Sequence, residues 1–358
     1  MGIFTQPPVK PLPTGTNFRG KTIIVTGASA GLGLETARQL LILNASTVVL
    51  AVRNLPKGEK CKASLLADPG VKKNNSSPIV KVMKLDMDDY NSVLSFVKAV
   101  EAEVPIVDHL LLNAGAGKLD YEVSASGHER TMQVYYLSNV LLVLGLLPHL
   151  ETGSTKTGTR SIITWLGSRL HHRSSLSDRK KGVKPNETVL GHMDDPKYFF
   201  PFQKYNDTKL LCVMFLYGLA PRLDMTKVLI NMVCPGMVNT SAGDILPLYL
   251  RIPFNVVKAI HARSVQEGAR LILNAMAIVG VESHGRFIAD KDIQSYVIPL
   301  RAPLLSLLIN NREKRRAPFL QTDAGQKIER RLYRESISEM SKYLTISSEW
   351  YQNYRFYQ

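Results

Sequence analysis

Short, nearly continuous apolar runs recur along the chain, and longer segments with helical spacing of apolar residues lie between them. The runs predict β-strands at 22–26, 47–52, 79–85, 107–113, 161–166, 228–234 and 286–289. Polar and apolar residues do not alternate in them, which indicates strands buried on both faces, as in a parallel sheet. The segments between them predict helices at 33–44, 57–67, 90–103, 129–150, 206–223 and 264–277. This order predicts the α/β class, with a doubly wound parallel sheet of about seven strands and helices on both faces.

No shift in composition divides the sheet into two domains. We predict one domain at 18–310, an N-terminal extension at 1–17 and a charged, helical C-terminal extension at 311–358. The stretch 172–200 is polar and punctuated by proline and glycine, so we expect a long surface excursion, a kind of loop that often carries function. For the C-terminal extension, packing on the body and formation of a homodimer both stay open.

Composition and charge describe a soluble globular protein. The chain has 358 residues, 45% of them hydrophobic, and a net charge of +15 with local excesses at 169–181 and 311–316. These runs are typical of a solvated surface, and no nucleic-acid-binding motif accompanies them, so no nucleic-acid partner is expected. Three separated cysteines without a CxxC pair predict neither a disulfide framework nor a metal site.

Location is predicted from the same features. The cysteine pattern fits a reducing compartment, and residues 1–13 lack the apolar core of a signal peptide, so we expect a cytoplasmic protein. The apolar run 140–150 is too short to span a bilayer. The segment 296–316 leaves peripheral contact with a membrane open, but its Arg301 and prolines favour packing or a wall facing a substrate.

A glycine-rich loop, TGASAGLG, joins the first strand to the first helix. Its glycines allow a tight turn and let a pyrophosphate approach the backbone, while the helix N-terminus offers free N–H groups. This context predicts a dinucleotide-binding site of the Rossmann type. The loop residues expected to line it are Gly27, Ser29, Gly31, Leu32 and Gly33.

The end of the second strand predicts which dinucleotide binds. An acidic residue there would bond the ribose 2′-hydroxyl of NAD, but this chain has Arg53, with Lys57 a turn later. A guanidinium matches the geometry of a phosphate, so the expected cofactor is NADP(H). The alternative is that Arg53 is an ordinary surface residue and the site is indifferent to the phosphate.

Five further motifs follow in order: LDMDD, LLLNAGAG, SIITWLGSRLH, YNDTK and CPGMVNTS. With the glycine loop, this series resembles the short-chain dehydrogenases/reductases over residues 18–290. The closest likeness is to the retinol-dehydrogenase-like branch and to fungal members encoded with secondary-metabolite pathways. The resemblance implies a Rossmann fold with a substrate flap at about 240–262. Besides the loop and Arg53, it implies cofactor contacts from Asp86, Asn113, Ala114, Gly115, Tyr205, Lys209, Pro235, Gly236, Val238 and Thr240.

The resemblance maps the catalytic groups onto Ser168, Tyr205 and Lys209. Tyr205 would be the acid and base. The pKa of a free tyrosine is about 10, so we expect Lys209 to lower the pKa of Tyr205. Lys209 would also hold the ribose hydroxyls of the cofactor. Ser168 would bond the substrate oxygen and fix its distance from Tyr205.

One position departs from the family pattern. Many members carry an asparagine that holds a water in a proton relay, whereas this chain has Tyr135 there and Asn139 one turn later. Three interpretations stay open: Tyr135 replaces the asparagine through its hydroxyl, the relay runs through water alone, or turnover is slow or lost.

The expected function is interconversion of a ketone or aldehyde and an alcohol on a hydrophobic small molecule, with a polyketide-like intermediate preferred over a retinoid or steroid. The apolar segments 198–202 and 243–260 favour a bulky substrate or simply cover the core. His171 is a candidate for substrate binding or a proton path, and Trp165 and Met237 are candidates for shaping the substrate pocket. For each of them, a purely structural role is the alternative. The rival hypothesis is a non-catalytic NADP-binding sensor or scaffold with the same fold.

Overall fold

The computed structural model describes residues 6–178, 182–240, 246–290, 292–293 and 318–345. The membrane-contact hypothesis for 296–316 therefore lies outside the described residues.

Seven parallel strands form the sheet, as predicted. Each strand lies within one of the apolar runs of the sequence. An eighth, antiparallel strand of two residues joins one edge within the described part of the chain. The order is β3-β2-β1-β4-β5-β6-β7-β8. The bounds are β1 Thr22–Thr26, β2 Thr47–Val52, β3 Ile79–Lys84, β4 His109–Leu112, β5 Ser161–Leu166, β6 Val228–Cys234, β7 Phe287–Ala289 and β8 Asp292–Ile293.

Helices cover both faces of the sheet. They are α1 Gly31–Ile42, α2 Leu55–Ala67, α3 Pro69–Asn74, α4 Tyr90–Glu103, α5 Arg130–Met132, α6 Ser138–Thr157, α7 Val189–Asp194, α8 Pro201–Leu219, α9 Leu248–His261, α10 Val265–Ala277 and α11 Asp323–Met340. A π-helical turn, Gln133–Leu137, joins α5 to α6. The run Arg130–Thr157 is long and apolar enough to cross a membrane, but 83% of its most apolar window is buried inside the protein, as in a core helix.

Two apolar clusters fill the space between the sheet and the two helix layers. Along β1 the side chains alternate, so that Ile24 joins one cluster while Ile23 and Val25 join the other. Helices α4, α6, α8 and α11 pack on the first side, and α1 and α10 pack on the second. Because both faces are covered, the parallel strands are buried as their composition predicts.

The C-terminal helix α11 packs on the body. The Tyr333 ring stacks on Phe215 of α8, with ring centroids 5.4 Å apart. The Ser336 and Tyr136 hydroxyls are hydrogen-bonded at 2.6 Å. For the C-terminal extension, the sequence was compatible with packing on the body and with dimerisation. The structure shows that α11 packs on the body.

Candidate active site

The glycine loop forms a cradle at the start of α1. Gly27 and Gly31 have φ angles of 68° and 54°, a region that favours glycine. A β-carbon on Gly33 would lie 2.5 Å from Asn113 Nδ2, so this glycine lets the helix approach the loop after β4. Helix α1 begins after Ala30 without a side-chain cap, and its first turn has no acidic residue. Its N-terminal N–H groups are thus available to an anion, and the cradle fits the pyrophosphate of a dinucleotide.

Thr26 fastens the loop after β4 to the glycine loop. Its hydroxyl accepts the N–H groups of Asn113 and Ala114, both at 2.9 Å, and donates to Leu111 O at 3.2 Å. The Asn113 side chain donates back to Thr26 O at 2.8 Å. The sequence analysis missed Thr26, although it is the first residue of the TGxxxGxG motif.

Two charged candidates lie beside this cradle at the ends of β2 and β3. Arg53 is exposed directly after β2, and its carbonyl accepts a hydrogen bond from Lys84 at 2.6 Å. Asp86 follows β3, and its N–H donates to Ser92 Oγ at 2.9 Å. Because the parallel strands end at one edge of the sheet, both residues face the side on which the glycine loop lies.

The loop after β6 carries Pro235, Gly236, Val238 and Thr240. Gly236 has a φ angle of 79°. Thr240 lies close to Gly31 of the glycine loop, since a β-carbon on Gly31 would be 3.7 Å from Thr240 Cγ2. This contact brings the loop after β6 to the glycine loop, as the cofactor prediction requires.

The N-terminal arm holds that same loop. The Gln6 side chain accepts the N–H of Met237 at 2.9 Å and donates to the carbonyls of Met237 and His261 at 2.8 and 2.7 Å. Arg263 donates to Pro235 O at 3.1 Å. Gln6 and Arg263 were not predicted, since nothing near them in the sequence indicates these distant partners.

Ser168, Tyr205 and Lys209 meet at the mouth of the cradle. Ser168 follows β5, and its side chain lies close enough to Tyr205 to lower the pKa of the Tyr205 hydroxyl. Tyr205 and Lys209 lie on α8, and Lys209 Nζ donates to Leu166 O, at the end of β5, at 2.7 Å. The Lys209 ammonium lies 5.7 Å from the centre of the Tyr205 ring.

The pKa of Tyr205 is raised in this structure, not lowered as expected. Burial raises the pKa of Tyr205 well above its usual range, and the nearby Tyr135 adds to this while the Ser168 side chain opposes it. Burial also lowers the pKa of Lys209. Desolvation of the phenol is thus the largest effect on the pKa of Tyr205, and the expected lowering by Lys209 is not found in these surroundings.

Tyr135 occupies the π-helical turn between α5 and α6. In this turn the Ser138 N–H donates to Gln133 O, five residues back. The Tyr135 ring meets the Tyr205 ring edge to face, with centroids 5.4 Å apart and planes at 82°. Such turns are frequent at functional sites, and here the turn brings a ring directly to the candidate acid.

Asn139 supports the turn instead of reaching the catalytic groups. Its side-chain amide is buried and donates to Val134 O at 3.0 Å and to Tyr135 O at 3.1 Å. The Cys212 thiol donates to the same Tyr135 carbonyl at 3.3 Å. These bonds satisfy carbonyl groups that the wider turn leaves without their usual helical partners.

The secondary candidates have structural contacts. His171 is buried with its Nδ1 2.6 Å from Ser168 O, and burial lowers its pKa to about 4. Trp165 is buried in the core beside Phe215. Met237 is exposed, with its N–H bonded to Gln6.

The excursion 172–200 is tied to the catalytic helix by Asp207. The Asp207 carboxylate accepts bonds from Ser174 Oγ at 2.7 Å, from Ser175 N–H at 2.6 Å and from Ser175 Oγ at 2.7 Å. Asp207 lies between Tyr205 and Lys209 in the sequence, so the helix that carries both groups also anchors the loop after Ser168. In the part of the chain that the structure describes, no cluster of three or more metal-binding side chains occurs.

Comparison with known proteins gives one consistent result. A family model described as short chain dehydrogenase matches residues 21–164. Short chain dehydrogenase yanD of Aspergillus niger is 51% identical over 97% of this chain and 99% of its own length. Short chain dehydrogenase macD of Penicillium terrestre is 51% identical over 96% of this chain and 98% of its own. A solved 3-oxoacyl (acyl-carrier-protein) reductase of Agrobacterium tumefaciens with NADP bound has a TM-score of 0.57 at 19% identity, covering 76% of this chain and 94% of that one, and shows the likeness of fold.

Proposed function

The chain belongs to the short-chain dehydrogenase family, and on this basis we propose that it is an NADP(H)-dependent reductase of a ketone or aldehyde on a hydrophobic small molecule. The observation that carries the proposal is the meeting of Ser168, Tyr205 and Lys209 at the same edge of the sheet as the uncapped N-terminus of α1. A proton donor, an oxygen-binding hydroxyl and a cation thus lie next to a cradle for phosphate.

We propose reduction as the direction because the expected cofactor is NADP(H). A bound NADPH would supply the hydride to the carbonyl carbon. The chain supplies the proton: Tyr205, kept protonated by burial, donates its hydroxyl hydrogen to the carbonyl oxygen, so that hydride and proton together make the alcohol. Ser168 holds the same oxygen, and Lys209 places positive charge beside the phenolate that remains.

The choice of NADP(H) is supported by Arg53 at the end of β2. Arg53 is exposed directly after β2, at the sheet edge that carries the glycine loop, and a guanidinium matches the geometry of a 2′-phosphate. The Agrobacterium tumefaciens reductase with NADP bound has the same fold and is consistent with this choice.

The substrate class is supported by apolar surface near the site. Helix α9 follows the loop after β6 and exposes Tyr249, Ile252, Val256, Val257 and Ile260, each 45–74% accessible. Phe200 and Phe202, just before Tyr205, are also exposed. We propose a polyketide-like intermediate of fungal secondary metabolism, handled in the cytoplasm. Two relatives that are 51% identical to this chain are short chain dehydrogenases of fungi, which supports the proposed substrate class.

A second candidate is a non-catalytic NADP-binding sensor or scaffold. Tyr135 favours it, because a ring replaces the asparagine that many family members use for proton transfer. The convergence of Ser168, Tyr205 and Lys209 favours the enzyme.

The test is turnover of a panel of hydrophobic ketones and aldehydes with NADPH and with NADH, followed by the loss of absorbance of the reduced cofactor. The proposal expects reduction with NADPH and a clear preference over NADH. Tight NADPH binding without reduction of any carbonyl, in wild type and in Tyr135→Asn, would support the sensor instead.

A further inference from the structure

Lys209 is a buried cation without a carboxylate partner among the described residues. Its side chain is only 4% exposed, and burial lowers its pKa. The titratable groups that face it are Cys212, Cys234, Tyr135 and Tyr205. The Lys209 ammonium donates a hydrogen bond to the carbonyl oxygen of Leu166, which is neutral. A buried ammonium is costly unless other groups stabilise it, so the surroundings must supply that stabilisation.

The aromatic ring nearest to this cation is that of Tyr135. Lys209 Nζ lies 4.6 Å from the centre of the Tyr135 ring and 5.7 Å from that of Tyr205. Both distances are within the range of about 6 Å over which a cation is attracted to the face of a ring, and the attraction is strongest when the pair is desolvated.

The chain fixes the Tyr135 ring in this place from three sides. Gly115 lies against it, and a β-carbon there would be 2.8 Å from Tyr135 Cζ. The Tyr205 ring meets it edge to face. Asn139 and Cys212 hold its backbone carbonyl in the π-helical turn. In contrast, none of the described residues forms a hydrogen bond with the Tyr135 hydroxyl, so the surrounding structure holds the ring rather than the hydroxyl group.

We propose that Tyr135 is a positioning residue whose ring face holds the Lys209 ammonium in its charged form beside Tyr205, and that the ring rather than the hydroxyl is what the site needs. The effect on turnover rests on the proposed function. The effect on Lys209 does not, because it concerns the protein without substrate.

The test compares variants at position 135 that keep or remove the aromatic ring. Tyr135→Leu removes the aromatic face at similar bulk, and the expected loss of turnover with NADPH is about 5- to 30-fold. The conservative variant Tyr135→Phe restores turnover to within about threefold of wild type, because phenylalanine presents the same face. A relay through the hydroxyl predicts the opposite, namely that Tyr135→Phe loses as much as Tyr135→Leu, and that result would overturn the proposal.

A second measurement needs neither substrate nor cofactor. In protein labelled with 13C at lysine Cε, the Lys209 signal is assigned by its disappearance in Lys209→Arg and then titrated with pH. The pKa of Lys209 should fall in Tyr135→Leu and stay near the wild-type value in Tyr135→Phe, since the ring of residue 135, not its hydroxyl, stabilises the charge. Mono-, di- and trifluorophenylalanine at position 135 nearly preserve the shape of the ring. They weaken the attraction of the ring face for a cation, so the pKa of Lys209 should fall stepwise along the series.

The two readouts separate the two ways of failing. A flat pKa across the fluorinated series would show that the ring only fills space, and the inference would be wrong whatever the enzyme does. A stepwise fall in a protein that reduces no carbonyl would confirm the role of the ring and contradict the proposed function.

Discussion

Gly115 lies against one edge of the Tyr135 ring, so closely that a β-carbon on residue 115 would overlap that edge and lie 2.8 Å from Cζ. The glycine of the NAG motif and the unusual tyrosine therefore form one unit. Neither residue can be enlarged without moving the loop after β4 or the ring beside Tyr205.

Gly115→Ala should therefore displace this unit. We expect a loss of about 1–3 kcal/mol in the free energy of unfolding, from overpacking, together with weaker NADPH binding. Denaturant titration and fluorescence titration with NADPH measure the two effects. The matched control is Gly153→Ala, where the added β-carbon would meet Ile106 at 3.8 Å, an ordinary contact. Equal behaviour of the two variants would contradict the packing argument.

Asp207→Ala should release the excursion from the catalytic helix. Arg173 is an exposed trypsin site whose carbonyl is bonded by Gln203, next to the serines that Asp207 holds. Hydrogen bonds to a charged group contribute about 1.5–3 kcal/mol each, so we expect cleavage after Arg173 to accelerate at least about tenfold. Mass spectrometry of a trypsin time course measures this rate. Cleavage after Lys227, in an exposed turn before β6, is the internal control, and an equal acceleration at both sites would indicate general unfolding instead.

His128 links α7 to α11 and should make stability depend on pH. Its Nδ1 lies 2.8 Å from Asp194 Oδ2, and its Nε2 lies 3.4 Å from Glu339 Oε1. Burial alone would lower the pKa of His128, but the hydrogen bonds and charges of Asp194 and Glu339 outweigh it and raise the pKa.

Because the folded-state pKa is raised, the stabilisation is fully present below the unfolded value of about 6.5 and is lost as pH rises through the folded value. His128→Gln should then cost more stability at pH 5.5 than at pH 9, as measured by urea unfolding at both pH values. A larger cost at pH 9 would show that the ring acts in its neutral form.

Arg53→Ala tests the cofactor preference. Loss of a charge-assisted bond to the 2′-phosphate should lower the ratio of NADPH to NADH affinity by about tenfold or more, with NADH binding little changed. Arg19→Ala is the control, because Arg19 is exposed before β1, at the opposite edge of the sheet. If the ratio is the same in both variants, Arg53 is an ordinary surface residue.

The sequence analysis found the features that depend on local pattern. Buried strands such as β1 and β6 have continuous apolar runs, and in a parallel sheet the motifs after them must lie at one edge. For that reason the sequence alone predicts that the glycine loop, Asn113, Ser168 and Pro235 lie at one edge of the sheet.

The features it missed depend on partners far away in the chain. The π-helical turn that presents Tyr135 is held by Cys212, and the loop after β6 is held by Gln6, more than 200 residues earlier. The raised pKa of Tyr205 was missed for a related reason, since the YxxxK spacing shows the lysine but not how deeply the phenol is buried.

The most direct test of the account is single-turnover oxidation of bound NADPH by a carbonyl substrate in wild type and in Tyr205→Phe. We predict equal NADPH affinity in the two proteins and a slower hydride-transfer step in the variant by about 10²–10⁴-fold, because the ring remains while the proton donor is lost. A variant that oxidises NADPH at the wild-type rate would contradict the assignment of Tyr205 as the acid.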